Sequence, residues 1–223
     1  MRHLPGYLAN VAPHVDGIVA LDDGSEDGSG DYLRSHDAVL EVLPAANGRA
    51  GWDELGNHRA LVAAALRHGA DWLLVLDADE RVEQEFRPRA ERVIRRGRLL
   101  GFGAFAVRLR ELWDSPNQFR VDGIWGRKAP ARLFRARPDH VFDTRPLHGV
   151  KAPLQDRVRG TYPLADLEVY HLRMIRPEDR LARRRRYEDL DPDGRWQAER
   201  YAYLTDETGL RLRRVDPRRR YRE

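Results

Sequence analysis

Apolar runs of strand length alternate with helical segments through the first 76 residues. Residues 18–21 form a short apolar run, and residues 38–43 form a second one that stops at a proline. A short helix is predicted between them at 31–35, and a longer helix at about 52–68 follows, with Gly69 as its cap. The apolar run at 72–76 then completes the order strand, helix, strand, helix, strand. This order predicts an α/β domain with parallel strands.

The second half of the chain predicts fewer regular elements, separated by loops rich in proline and glycine. The elements predicted there are a helix at 84–96 and strands at 103–112, 132–135 and 167–172. Pro177 and the two acids after it predict the start of a helix that reaches about residue 190. We expect one domain over residues 1–175, with an arginine-rich helix and tail at 176–223 that packs on it or extends from it. The end of the tail, from residue 215, is expected to fray.

Composition limits the classes of protein to consider. The chain has 223 residues, of which 41% are hydrophobic and 34% charged, and no apolar run approaches the length of a transmembrane helix. Cysteine is absent, which excludes disulfides, thiolate catalysis and cysteine-ligated zinc or iron–sulfur centres. The N-terminus lacks the basic and then apolar pattern of a secretory signal. These features favour a cytoplasmic protein without a membrane span.

The basic isoelectric point does not indicate nucleic-acid binding. Residues 176–223 contain 15 arginines and 11 acids, an excess equal to the formal net charge of +4 on the whole chain. The remainder of the chain is therefore neutral. Because acids are interspersed among these arginines and nearly all basic residues are arginine, composition bias explains the charge better than a recognition surface does. We expect no nucleic-acid partner.

Two acidic clusters follow apolar strands. Asp22 and Asp23 come directly after the first strand, and Asp77, Asp79 and Glu80 come after the third. Ligands of open α/β sheets bind beyond the carboxyl ends of the strands, so the two clusters are expected to border one crevice. Carboxylates that converge raise each other's pKa unless a cation joins them, and oxygen ligands suit Mg²⁺ or Mn²⁺. The alternative is that these acids and the nearby glycines only form turns and helix caps.

The two clusters also carry a resemblance. The segment D-D-G-S-x-D-G-S at 22–29, with L-D-A-D-E at 76–80, resembles family-2 glycosyltransferases of the GT-A fold, particularly bacterial members. The similarity extends over about residues 2–190. It implies a Rossmann-like mixed sheet flanked by helices, a nucleotide-diphosphate sugar as donor (a UDP-, GDP- or dTDP-sugar), and Mn²⁺ or Mg²⁺ as the cofactor. The acceptor is left open: a glycan, a lipid-linked molecule, a small molecule or a peptide.

The resemblance assigns roles to individual residues of the acidic clusters. It implies that Asp23, with Asp22 as a weaker candidate, contacts the nucleobase or ribose of the donor. The backbone at Gly24 would approach the ligand closely, since glycine leaves room for it. Asp77 would contact the ribose or, through water, the metal, and Asp79 would bind the metal that bridges the diphosphate.

Four residues in the second half extend the implied site, each with an alternative. His171 stands where the family often has a further metal ligand, and the alternative is a half-buried strand histidine held by a backbone bond. Arg180 and Arg184, four residues apart on a predicted helix, could face the diphosphate or form an ordinary solvated face. Trp125 could stack on a sugar ring, although core packing is the usual role of tryptophan.

The chain departs from the family pattern in two respects. The family's domain usually opens with a strand before the segment that residues 2–8 resemble, so we expect either an earlier natural start or a sheet without its usual first strand. Related members also often have His-Glu where this chain has His148-Gly149, which removes a carboxylate that could act as catalytic base. Asp143 and His148 are the substitutes we consider first, and Asp156 is a third.

Two functions remain in competition at this stage. The first is a metal-dependent glycosyltransferase that acts on a nucleotide-diphosphate sugar. The second is a binding or scaffold protein with a GT-A fold whose catalysis is impaired. A nucleotidyltransferase is disfavoured, because its phosphate-binding loop after the first strand is usually basic, whereas this one is acidic. No transmembrane segment is expected, and peripheral contact with a membrane is left open.

Overall fold

The computed structural model describes residues 1–45, 53–145, 148–197 and 200–223. Most of the predicted loop at 45–51, the first residue of the helix predicted at 52–68, and Leu147 lie outside these ranges. The helices are α1 (Leu4–Val11), α2 (Ser29–Arg34), α3 (Glu54–Arg67), α4 (Phe86–Leu100) and α5 (Pro177–Leu190). The strands are β1 (Ile18–Asp22), β2 (Val39–Pro44), β3 (Trp72–Leu74), β4 (Glu80–Val82), β5 (Ala104–Glu111), β6 (Gln118–Arg120), β7 (Ala131–Arg135), β8 (Leu164–His171) and β9 (Leu212–Arg214).

The described residues form a mixed α/β protein built on a five-stranded mixed sheet with flanking helices. The strand order of this sheet is β3-β7-β5-β8-β4, in which only β5 and β8 are parallel. Strands β1 and β2 pair in parallel, as predicted, but they form a sheet of their own. The prediction that β3 continues a parallel sheet with them is wrong. Within the described part of the chain, β3 pairs only with the antiparallel strand β7.

The main core lies between the five-stranded sheet and α4. Strand β5 is buried along most of its length because it has a neighbour on each side. Its Phe105, Val107 and Leu109 pack with Leu167 of β8 and with Phe86 of α4. Apolar residues alternate with charged ones along much of β5 and β8, a pattern typical of strands, and the chain predicts both strands correctly.

Strand β4 was missed because its sequence is Glu-Arg-Val. All three residues are buried, which is unusual for charged side chains. Arg81 donates hydrogen bonds to the carbonyl oxygens of Ala78, Glu80 and His3, so its buried guanidinium is largely satisfied. Such tertiary pairing leaves no signal in the pattern of apolar and polar residues.

Residues 215–223 are docked on β4, so the expectation that they fray is wrong. The Arg220 carbonyl accepts a hydrogen bond from the Gln84 N–H at 2.9 Å, and the Arg219 carbonyl accepts one from the Tyr170 hydroxyl at 2.6 Å. The Arg222 carbonyl accepts a further bond from the Asn10 side chain at 3.2 Å. The segment therefore ties α1 to the edge of the five-stranded sheet.

The preceding part of the arginine-rich segment also packs on the main body. Tyr201 and Leu204 share a buried cluster with Trp113 and Trp125. Trp125 is 3% exposed and its ring meets that of Trp113 at 5.3 Å, so core packing accounts for it. No helix within the described ranges is both long enough and apolar enough to cross a membrane.

Candidate functional site

A tight turn joins β3 to β4 and carries the second acidic cluster. The Asp77 carbonyl accepts a hydrogen bond from the Glu80 N–H at 2.9 Å. The fully buried Glu80 carboxylate accepts from the Asp77 N–H at 2.9 Å and from the Arg132 guanidinium of β7 at 2.8 Å. Burial raises the pKa of Glu80 to about 7, against the opposing effect of Arg132. Glu80 therefore stabilises the turn through these hydrogen bonds and helps to position the two aspartates of the turn, Asp77 and Asp79.

Asp79 begins a line of three buried ionisable side chains. His171 Nε2 lies 3.4 Å from Asp79 Oδ2, and His171 Nδ1 lies 2.7 Å from Glu111 Oε2. His171 ends β8, where it pairs with Glu80 of β4 on one side and Glu111 of β5 on the other. The sheet register thus brings together residues that are sixty or more positions apart in the sequence. The structure gives His171 side-chain partners on both ring nitrogens rather than the backbone bond of our alternative.

The charges along this line are mutually stabilised. Burial lowers the pKa of His171, but Glu111 and Asp79 outweigh burial and raise it to about 10. Burial raises the pKa of Glu111, but the charges of Lys128 and His171 hold it well below its ordinary value. The same opposition of burial and His171 leaves the pKa of Asp79 below its ordinary value. At neutral pH the line is therefore carboxylate, imidazolium, carboxylate.

Three cations surround the line, and the sequence did not single them out. Lys128 Nζ donates to Glu111 Oε1 at 2.7 Å, and Arg173 Nη1 lies 3.4 Å from Asp79 Oδ2. Arg183 contributes positive charge near both carboxylates, and its Nη1 is buried without a hydrogen-bond partner in the part of the chain that the structure describes. Lys128 did offer a signal, because it is one of two lysines in a chain whose other basic residues are arginines.

Asp77 is the open part of this cluster. Its side chain is 65% exposed and lies 3.8 Å from the Arg132 guanidinium. Asp77, Asp79 and His171 offer two carboxylates and one imidazole, which are donors that Mn²⁺ and Mg²⁺ accept. In the described part of the chain no three metal-binding side chains are already grouped for an ion. The residues fit a divalent cation only if substrate oxygens or water complete its coordination and His171 gives up its proton.

The first acidic cluster lies at the end of β1. Asp22 Oδ1 accepts a hydrogen bond from the Ser25 N–H at 2.9 Å, which closes the turn. A Cβ on Gly30 would lie 2.4 Å from Asp22 Oδ2, so only glycine leaves room for this carboxylate. Asp23 is exposed, and Gly24 has the left-handed φ of 80° with open space around it. Asp22 thus contributes to the turn, while Asp23 is free to meet a ligand.

The start of the chain lies between the two acidic clusters. The Met1 amine donates hydrogen bonds to the side chains of Asp27 and Ser29, beside the first cluster. Next to it, Arg2 lies close enough to Asp79 for that carboxylate to help raise the pKa of Arg2, after the main effect of Asp179. Within the described residues, no hydrogen bond or ion pair joins Asp22 or Asp23 directly to the second cluster.

Arg180 and Arg184 lie on α5 as predicted, and both already have acidic partners. Arg180 is 4% exposed and donates to Asp114 at 2.9 Å and to Glu207 at 3.0 Å. Arg184 donates to Glu188 at 2.7 Å. These contacts give both arginines a structural role, and their contact with a diphosphate stays a prediction.

The two candidates for the catalytic base differ in their electrostatics. Asp143 accepts hydrogen bonds from the Arg145 side chain at 2.6 Å and the Val150 N–H at 2.9 Å, and these interactions lower its pKa. His148 has a left-handed φ of 59°, its Nε2 lies 3.3 Å from the Tyr201 hydroxyl, and burial lowers its pKa. His148 is therefore neutral at pH 7, as a base must be, while Asp143 is weakened as a base by its partners.

Comparison with models of known protein families identifies no family that matches the chain.

Proposed function

We propose that the chain is a metal-dependent glycosyltransferase of the GT-A type that uses a nucleotide-diphosphate sugar. The observation that carries this proposal is the turn at residues 77–80. There, a solvent-open carboxylate, Asp77, stands beside a rigidly held one, Asp79, at the end of a strand. The acidic, glycine-rich turn that follows β1 supplies the second support.

In this proposal the two clusters bind different parts of the donor. Asp23, with Asp22 and the Gly24 backbone, contacts the nucleoside. Asp77 and Asp79 hold Mn²⁺ or Mg²⁺ together with oxygens of the diphosphate, since these ions commonly complete their shells with substrate phosphates. The bound ion would neutralise the charge that develops on the departing diphosphate.

The residues around Asp79 would also help to bind the diphosphate and the metal. Arg173 is 46% exposed on its side chain and lies next to Asp79, so its guanidinium can reach a diphosphate bound beside Asp79. His171 can join the metal only as the neutral imidazole, so metal binding and proton release are coupled. Glu111 accepts the hydrogen bond of His171 Nδ1 and orients the ring, as carboxylates do beside metal-binding histidines.

A thermal-shift panel tests the donor and metal requirement. UDP, GDP and dTDP are each added with and without Mn²⁺. At a ligand concentration 100-fold above Kd, binding adds about 2.7 kcal/mol to the free energy of unfolding. For a chain of this size that corresponds to a rise in Tm of roughly 5–10 °C. We expect this rise for at least one nucleotide, and only when the metal is present.

Variants connect the shift to the proposed residues. Asp77→Asn removes an exposed carboxylate and should abolish the metal-dependent shift without loss of folding. Asp79→Ala should do the same, compared with its own ligand-free Tm because the substitution also removes a buried partner of His171. Asp31→Asn is the matched control, since Asp31 is an exposed acid on α2 whose side chain pairs with Arg34 alone among the described residues. An equal shift in Asp77→Asn and in the unaltered protein would contradict the proposal.

A second candidate is a GT-A-type binding or scaffold protein without turnover. Two features favour it: the pairing of Asp79 with a protonated His171, and Gly149 in place of the carboxylate that the glycosyltransferases it resembles often have. Release of free UDP or GDP from the corresponding nucleotide sugars, followed by chromatography, separates the candidates. Turnover excludes the second one, whereas metal-dependent binding without turnover supports it.

A further inference from the structure

Helix α4 has one face on the sheet and the opposite face in solvent. Phe86, Ala90 and Gly97 are buried, and Val93 and Ile94 pack against the same core. The helix has 15 residues, which is enough for four turns with a continuous outer face.

The outer face carries three arginines and two leucines. Arg92, Arg95, Arg96 and Leu99 follow the spacing of three and four residues that aligns side chains along one side of a helix. Leu99 is 88% exposed, and its neighbour Leu100 is 56% exposed. We call these five residues the α4 stripe. Leu99 has the highest exposure of the exposed large hydrophobic side chains in the described part of the chain.

The charge of the α4 stripe is not compensated. Other arginines of α4 are paired: Arg87 with Asp16 and Arg89 with Glu83, at 2.7 and 3.5 Å. For Arg92, Arg95 and Arg96, the described residues provide no acid within ion-pair distance. The stripe thus combines three arginines that no described acid pairs with and two exposed leucines on one side of the helix.

We propose that the α4 stripe docks on the surface of an anionic lipid bilayer. A flat layer of anionic headgroups can meet all three guanidinium groups at once, and the hydrocarbon beneath it receives Leu99 and Leu100. Nucleic acid would satisfy the arginines but offers the leucines no apolar partner. An anionic bilayer thus complements both parts of the stripe. This proposal does not depend on glycosyl transfer.

Vesicle sedimentation tests the proposal with the full chain. The protein is mixed with vesicles of phosphatidylcholine alone or of phosphatidylcholine with phosphatidylglycerol, at low and at high salt. Each arginine near an anionic surface contributes about fivefold to the partition coefficient, so Arg92→Gln/Arg95→Gln/Arg96→Gln should lower it about 100-fold. Leu99→Ser/Leu100→Ser should lower it about 100-fold, at about tenfold for each inserted leucine, through lost insertion rather than lost charge.

A matched charge control guards against a general effect of net charge. Arg211→Gln/Arg213→Gln/Arg214→Gln removes three exposed arginines at β9 and should leave sedimentation unchanged. All variants should keep the unaltered Tm, since the replaced side chains are exposed. Three results would overturn the proposal: no sedimentation with anionic vesicles at low salt, equal loss in the β9 control, or retention on heparin that the α4 variants abolish while vesicles never bind.

Discussion

Replacement of Glu111 by glutamine isolates the charge of one buried carboxylate. Glu111 is 1% exposed and lies between two cations, with Lys128 Nζ and His171 Nδ1 each 2.7 Å away. Glutamine preserves the shape of the side chain and removes its charge. Both cations then remain buried with less compensation, and a buried ion pair that loses one partner is strongly destabilising.

The size of the effect follows from His171. Its pKa is about 10 in the folded protein against an ordinary value of 6.5, a difference of about 3.5 units at 1.36 kcal/mol each. Up to about 5 kcal/mol thus favours the folded imidazolium, shared between Glu111 and Asp79. Because the folded pKa is raised, this stabilisation is fully present below pH 6.5 and is lost as the pH rises toward 10. We expect Glu111→Gln to lower the free energy of unfolding by about 3 kcal/mol at pH 7.

Urea unfolding between pH 6.5 and 9.5 measures both quantities. The unaltered protein should lose up to about 1.4 kcal/mol per pH unit from this one proton, and Glu111→Gln should show a shallower slope. Glu188→Gln is the control, because Glu188 is an exposed partner of Arg184 on α5 and its loss should change stability by less than about 0.5 kcal/mol. Equal pH slopes in the unaltered protein and Glu111→Gln would refute the reasoning.

Three further outcomes are expected from buried polar groups elsewhere. His140 is 8% exposed, its ring stacks on Phe142 at 4.1 Å, and neither ring nitrogen has a hydrogen-bond partner among the described residues. His140→Phe should therefore raise the free energy of unfolding by about 1 kcal/mol in urea titrations. Burial lowers the pKa of His140 to about 4. The free energy of unfolding should therefore fall by up to about 3 kcal/mol as the pH drops from 6.5 to 4, and His140→Phe should flatten that part of the pH profile. A variant that is destabilised, or equally sensitive to acid, would contradict both points. Arg219→Ala removes a partner 3.1 Å from the fully buried Glu83 and should lower the free energy of unfolding by about 2 kcal/mol. Arg218→Ala, at an exposed neighbouring position, should change it little. The same melting curve for both variants would show that Arg219 does not stabilise the docked tail.

The sequence predicts those elements whose burial is apolar. Strands β1, β2, β5 and β8 and helix α3 have the expected type and approximate limits, because their own residues carry the pattern. Helix α5 is predicted instead from Pro177 and the two acids that follow it, and its buried residue is Arg180. The acidic turns at the ends of β1 and β3 are also where the pattern puts them. The interpretation of these turns as a binding site depends on the resemblance to glycosyltransferases, and that resemblance comes from the sequence motifs.

Long-range pairing sets the limit of such prediction. Glu111 and His171 become neighbours only because β5 and β8 pair in parallel at that register, and no local pattern specifies this. Similarly, Arg180 and Arg183 are both helical, yet Arg180 turns to Asp114 while Arg183 contributes charge near Asp79 and Glu111. The two arginines are only three positions apart, and which of them lies near the buried carboxylates depends on the elements packed against α5. The periodicity of the helix cannot predict this.

The docking of residues 215–223 affects the order in which the nascent chain folds during translation. The contacts of Asn10 with Arg222 and of Gln84 with Arg220 span 212 and 136 residues. The sheet edge at Glu83 and Gln84 therefore lacks its partners until residues near 220 have been synthesised. Because long-range contacts form slowly, the nascent chain presents this edge to chaperones for a comparatively long time.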